Sequence, residues 1–233
     1  GITHNVWVVD SLEDIQTIRE GFAQTEHIYI ADGHHRAASA VKVGLKRRGD
    51  NPQHRGDEEY NYFLSVLFPH EELMIMPYNR VVKDTNGLSN EELFSAIEEK
   101  FIVDAVSQPY LPEIKGNIGM YIDGQWYKLT TKEAIKSQDP VLGLDVSILQ
   151  DHILGPILGI DDPRTDKRID FVGGIRGLEE LERRSNGDMK LAFSMYPTSI
   201  LELFAVSDAD RLMPPKSTWF EPKLRSGIFI HQL

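Results

Sequence analysis

Short β-branched runs alternate along this chain with apolar stripes of helical period, and that alternation constrains the fold more than any other feature. Val6-Trp7-Val8-Val9 reads as a strand. Asp10-Ser11 follows as a helix N-cap, with Glu13 and Asp14 in the first turn and Ile15, Ile18 and Phe22 along one face. Ile28-Tyr29-Ile30-Ala31 is a second strand-like run. Strand, helix and strand in so short a span predict a βαβ-like unit with both strands in one sheet. A second helix is expected over about 35–48, burying Ala37, Ala38, Val41 and Leu45 and closed by Gly49 and Asn51-Pro52. After a polar loop over 49–59, residues 60–68 and 73–83 read as the two strands of a hairpin.

The remainder keeps the same rhythm. Ser89 with Glu92 forms a capping box, ahead of Leu93, Ile97 and Phe101 on a helix inner face. Residues 118–122 and 125–129 flank Asp123-Gly124, a pair suited to a type I′ hairpin turn. Residues 144–160 are helical in pattern, with Pro156 as a kink or break. The apolar face of that helix is open to core packing or to pairing two copies as a homodimer. A strand over 169–172, a helix over 178–184, a strand over 189–195, a helix over 198–205 and a final strand over 227–231 complete the pattern. The fold class is α+β: a mixed sheet with antiparallel hairpins and flanking helices. The chain reads as one large unit over 1–233, with a sub-boundary near 84–88 separating a motif-bearing subdomain, 1–85, from a second, 86–233.

Composition narrows the chemistry. None of the 233 residues is cysteine, which removes disulfides, thiolate catalysis and zinc–thiolate sites and suits a cytoplasmic protein. Lys and Arg number 25 against 36 Asp and Glu, a formal net charge of −11 that argues against broad nucleic-acid binding. The local cluster Lys42, Lys46, Arg47, Arg48 and Arg55 reads as a solvated helix end rather than a nucleic-acid surface. No apolar run approaches the roughly 20 residues of a membrane helix. Asp161, Asp162, Asp166 and Asp170 lack the spacing of a calcium loop. His152, on an apolar helix, reads as a structural histidine.

Asp32-Gly33-His34-His35-Arg36 stands where a strand-like run gives way to a helix. A helix N-terminus offers free N–H groups and the positive end of its dipole, so anions bind there. Gly33 lets backbone approach a ligand closely. Arg36 can fork onto phosphate oxygens, and His34 and His35 can donate to an oxyanion or move a proton. Asp32 can orient a histidine, hold Mg²⁺ or act as a base. Adjacent helical residues point about 100° apart, so His34 and His35 do not readily share a zinc ion, and phosphate suits the pair better. Lys216-Ser217-Thr218 lacks the glycines of a phosphate loop, and Pro214-Pro215 precedes it. As a rigid extended segment it can still hold a cation at a site mouth, or strap the C-terminus with Trp219 and Phe220 in the core. Asn79 and Arg80 close a strand, either as substrate contacts or as a surface pair.

Ile30-Ala31-Asp32-Gly33-His34-His35-Arg36-Ala37 resembles the signature of the domain-of-unknown-function family 1015. So do Tyr78-Asn79-Arg80-Val81-Val82 and the closing run Met213-Pro214-Pro215-Lys216-Ser217-Thr218-Trp219-Phe220, with Pro222-Lys223-Leu224 and Ser226-Gly227 beyond it. Members of that family are often labelled SpoOJ/ParB/RepB proteins and extend further at the N-terminus. With Gly1 where an initiator Met would stand, the chain is expected to be a C-terminal part. The Asp-Gly-His-His-Arg motif also resembles that of the ParB/sulfiredoxin superfamily, which includes sulfiredoxin, chromosome-partitioning ParB and free-serine kinases. There the motif opens a helix that holds nucleotide phosphates. The resemblance implies that His35 and Arg36 grip the phosphates, and Gly33, Lys216, Ser217 and Thr218 are further candidates for that contact on their own chemistry. It places His34 and Asp32 near the transferred group; His35 is a further candidate there, Asn79 and Arg80 are candidates for the substrate, and Asp32 is a candidate for Mg²⁺ or for the base. Sulfiredoxin's catalytic cysteine has no counterpart.

The resulting expectation is an ATP-dependent phosphotransferase, or one using another nucleotide, acting with Mg²⁺ on a small hydroxyl-bearing substrate. The alternative is a non-catalytic, nucleotide-binding ParB-like module, regulatory or DNA-associated.

Overall fold

The computed structural model describes residues 3–221 and 227–232. Its centre is a six-stranded sheet in the order β3-β5-β4-β7-β2-β6. The strands are β2 (Tyr78–Val82), β3 (Phe101–Val106), β4 (Asn117–Ile122), β5 (Gln125–Thr131), β6 (Ile169–Gly173) and β7 (Leu191–Met195). Every pair in it is antiparallel, so α+β holds while the expected mixed sheet is corrected to an antiparallel one. Asp123 and Gly124 turn the β4–β5 hairpin with φ of 49° and 82°, both positive as a type I′ turn requires.

Both faces of the sheet are covered. On one, Val82, Ile118, Met120, Ile122, Leu129, Leu191, Phe193 and Met195 pack against Leu93 and Ile97 of α3 (Asn90–Glu98) and against Val146, Ile148 and Leu149 of α4 (Asp145–Leu149). On the other, Val81, Tyr121, Trp126, Val172 and Ala192 pack against Leu181 of α5 (Gly177–Ser185). Double coverage explains why every residue of β4 and β7 is buried. The Ser89–Glu92 capping box forms as expected, but the helix ends at Glu98, and Phe101 enters the core from β3. The 144–160 segment becomes α4 followed by a π-helical turn, Gln150–Leu154, that stops just before Pro156. Its apolar side chains, Ile153, Leu154 and Leu158 among them, lie in the core, so that face is not open to a second copy.

The first 68 residues depart from expectation. α1 (Leu12–Ala23) starts at N-cap Ser11, whose Oγ accepts from Asp14 N at 3.3 Å, and α2 spans His34–Asp50. Residues 6–9, 28–31 and 62–68 form neither helix nor strand and join no ladder among the described residues, and 59–61 form a 3₁₀ turn. The βαβ-like unit and the 60–68/73–83 hairpin are therefore corrected. Strand propensity only describes fit to a pleated, half-buried surface, and without a neighbouring edge the runs stay unpaired. Ile18 and Phe22 of α1 and Val41 and Leu45 of α2 are exposed rather than buried. α2 instead packs through Gly44, where a Cβ would lie 2.6 Å from the Tyr60 carbonyl. Tyr29 ties this region to α6 (Ile200–Asp208): its ring stacks on Phe204 at 4.2 Å and its hydroxyl donates to Asp208 at 2.7 Å.

β1 (Met74–Met76) pairs with β8 (Trp219–Glu221), placing Met76 opposite Trp219. The closing run thus supplies a strand, whereas 227–231, expected as one, does not. Pro222-Lys223-Leu224 and Ser226 lie outside the described residues.

Candidate functional site

The residues singled out in the sequence fall into two groups. The first is the start of α2. Gly33 is its N-cap with φ +86°, a left-handed conformation that glycine adopts without strain, and no side chain caps the helix. The first turn carries His34, His35 and Arg36 and no acid. That inverts the usual preference for negative charge at a helix N-terminus. Arg36 folds back over Gly33, since a Cβ there would lie 3.0 Å from Nη2. Its Nη2 stands 3.6 Å from Asp32 Oδ2, both side chains being more than half exposed. His34 and His35 are exposed. The first turn of α2 thus exposes backbone N–H groups, two imidazoles and a guanidinium to solvent.

The second group forms around Arg80, and cross-strand register builds it. Tyr78 and Arg80 lie on the same face of β2, and Arg80 pairs with Phe171 and Tyr78 with Gly173 of β6. Gly173 is required: a Cβ there would lie 2.7 Å from the Trp219 ring. The Tyr78 ring meets Phe171 at 5.8 Å and Trp219 at 5.3 Å, both edge to face. Arg80 is 3% exposed. Its guanidinium lies 5.5 Å from the Phe171 centroid, donates from Nη1 to the Tyr78 carbonyl and from Nη2 to the Lys216 carbonyl at 3.0 Å. Burial lowers its pKa to about 10, which leaves it charged at neutral pH.

The 214–217 turn is held from several sides. Ser217 Oγ donates to the Pro214 carbonyl at 2.5 Å, and Thr198 Oγ1 donates to the Ser217 carbonyl at 3.1 Å. Lys216 adopts φ +56°, uncommon for a residue with a Cβ. Its Nζ sits 5.6 Å from the Tyr78 centroid. Ser217 is buried, Thr218 is half-buried, and Asn79 is buried with Oδ1 accepting from Met195 N at 3.0 Å. Arg80 and Lys216 therefore come together. Among the described residues, no hydrogen bond or ion pair joins them to the start of α2. Sequence reasoning missed Phe171 and Gln150 at this site, because register and the π-turn, not motif spacing, put them there.

Among the described residues, no three His, Asp or Glu side chains gather where they could hold a metal ion. His152 is half-buried on the π-turn. Arg168, in the mixed-charge loop, pairs with Asp84 and Asp166 and caps the Leu158 and Gly159 carbonyls at 3.0 and 2.6 Å. No helix of the described residues is long and apolar enough to cross a membrane.

The family model described as "protein of unknown function (DUF1015)" matches residues 1–147, and the chain belongs to that family. The match ends before the 213–220 run. No curated protein matches the chain. Among solved structures, a free serine kinase variant in complex with AMP is 14% identical, with 90% of this chain and 80% of that chain covered and a TM-score of 0.44. Another such variant in complex with ADP gives 14% identity, the same coverage and a TM-score of 0.43. A conserved hypothetical protein from Pyrococcus furiosus gives 13%, 90% and 82% coverage, and a TM-score of 0.40.

Proposed function

We propose that this protein is a nucleotide-dependent phosphotransferase that uses ATP and acts on a small hydroxyl-bearing substrate. The observation that carries the reading is the start of α2: an uncapped helix N-terminus on a left-handed glycine, crowded with His34, His35 and Arg36 and lacking any first-turn acid. Three basic groups at the positive end of a helix dipole are unfavourable alone and favourable around a phosphate. The resemblance of Asp32-Gly33-His34-His35-Arg36 to a phosphate-gripping motif agrees with this.

Phosphoryl transfer depends mainly on positioning and charge neutralisation. In the proposed reaction the Gly33 backbone, His35 and Arg36 hold the phosphates. The substrate hydroxyl oxygen bonds to the γ-phosphorus as the bond to ADP breaks, its proton passing to Asp32, with His34 beside the transferred group. Asp32 is either this base or, in its place, a residue that would help hold Mg²⁺, which would supply charge neutralisation; among the described residues no three His, Asp or Glu side chains gather there to hold the ion alone.

Calorimetric titration of ATP, ADP and CTP into wild type and Arg36→Ala tests the reading. Saturable binding by wild type, weakened about tenfold or more in the variant, is expected from loss of a forked phosphate contact. No binding by folded wild type, or equal binding by both, overturns it.

A further inference from the structure

Arg80 is the most deeply buried cation described, and no acid among the described residues pairs with it. Arg184 and Arg168, each partly buried, pair with Asp170 and Asp188 and with Asp84 and Asp166 respectively. Among the described residues Arg80 meets two backbone carbonyls, those of Tyr78 and Lys216, and no acid. A guanidinium has five N–H donors, so three remain unused. Carbonyl dipoles satisfy hydrogen bonds but do not cancel a buried charge, and an uncompensated buried charge is costly.

The surroundings are arranged for a counter-ion. Arg80 lines a narrow cavity of about 30 Å³ with Val146, Gln150, Leu154, Phe171 and Pro214. That is room for one or two water-sized groups, the scale of a carboxylate and tight for a tetrahedral phosphate. One wall comes from the π-turn Gln150–Leu154, a distortion often found at functional sites. Another wall comes from Pro214 of the pinned 214–217 turn; Lys216 of the same turn lies over Tyr78 beside the cavity rather than in its lining. Phe171 supplies an aromatic wall, and Tyr78 packs on it edge to face behind the cavity.

We infer that the Arg80 cavity binds a small oxyanion, sized for one carboxylate head group, which the Arg80 fork holds and Lys216 attracts. This does not depend on nucleotide binding at α2. A buried Arg80 that merely ties the 214–217 turn to β2 would need no anion, and the two roles separate experimentally.

Acetate is titrated against chloride at constant ionic strength, with the thermal midpoint and tryptophan fluorescence as readouts, and inorganic phosphate is run in parallel on Arg36→Ala, so that phosphate held at α2 does not enter the comparison. A saturable rise in midpoint with acetate and none with chloride is expected, as for any ligand that binds the folded state alone. Lys216→Ala leaves the turn's backbone carbonyl in place for Arg80. It should unfold like wild type without acetate and need about fivefold more acetate for half-saturation. Arg80→Lys, which keeps charge but loses the planar fork, should need about tenfold more. Absence of saturation in wild type overturns the inference. So does full retention of the response in both variants, or half-saturation by phosphate at a concentration below that of acetate.

Discussion

Asp145 carries into the interior the opposite charge to Arg80 and meets a different environment. It is 7% exposed, and both carboxylate oxygens accept from Gly116 N at 3.0 Å. Burial pushes its pKa up from 3.8 to about 6, against the pull of the Gly116 bond and of Lys115. The folded state thus holds this proton to higher pH than the unfolded chain does. Its stabilising contribution is complete below about 3.8 and is lost as pH rises through about 6. Asp145→Asn keeps an amide oxygen for Gly116 and removes the titration. It should flatten the decline in stability between those pH values and raise stability at pH 7.5 by on the order of 2 kcal/mol, measured by urea unfolding. A variant less stable at pH 7.5 with an unchanged pH slope would refute this. Neither Asp145 nor Phe171 was legible as a special residue in the sequence. Each owes its character to a neighbour far along the chain, Gly116 for one and Arg80 for the other, and spacing along the chain does not encode that pairing.

Local rules did mark many of the elements. The Ser89–Glu92 box, the Asp123-Gly124 turn and the punctuation at Pro156 all rest on contacts within a few residues, so they survive whatever the tertiary context. A second capping box closes on α6: Ser199 Oγ accepts from Glu202 N at 3.2 Å, and Glu202 Oε2 accepts from Ser199 N at 2.8 Å. Ser199→Ala should cost about 1 kcal/mol in chemical denaturation, the usual worth of an N-cap hydroxyl, and an unchanged midpoint would show that the box contributes nothing. Strands were legible only where a partner edge exists. Val6–Val9 and Ile28–Ala31 have the composition of strands and no ladder, while Trp219–Glu221, coming after a proline-led run, reads poorly as a strand yet pairs with β1. Helical amphipathicity misled for the same reason: α1 and α2 carry apolar stripes that no described layer covers.

For the molecule as a whole, the α+β class followed from mixed periodicities, but the strand order did not. β2 lies between β6 and β7, and the sheet closes only after the chain has passed through α3, three more strands, α4 and the π-turn. Such order is fixed by burial on both faces, a property of all the layers together. The net charge of −11 also acts at this scale. Lys42, Lys46, Arg47 and Arg48 lie exposed toward the end of α2, yet the acidic surplus should dominate encounter with a polyanion. Duplex DNA titrated in 50 and 200 mM salt should give no binding in either, and a steep loss of affinity with salt would instead identify a basic footprint.

Helix α6 occupies a middle position in this arrangement. Just ahead of it Thr198 grips the turn that rests on Arg80, and toward its trailing end Phe204 and Asp208 hold Tyr29, three residues before Asp32. One rod of nine residues is therefore spliced to both candidate sites. The two sites share a common datum: any shift in how that rod is seated is registered at one end as a displaced lysine turn and at the other as a displaced aromatic stack.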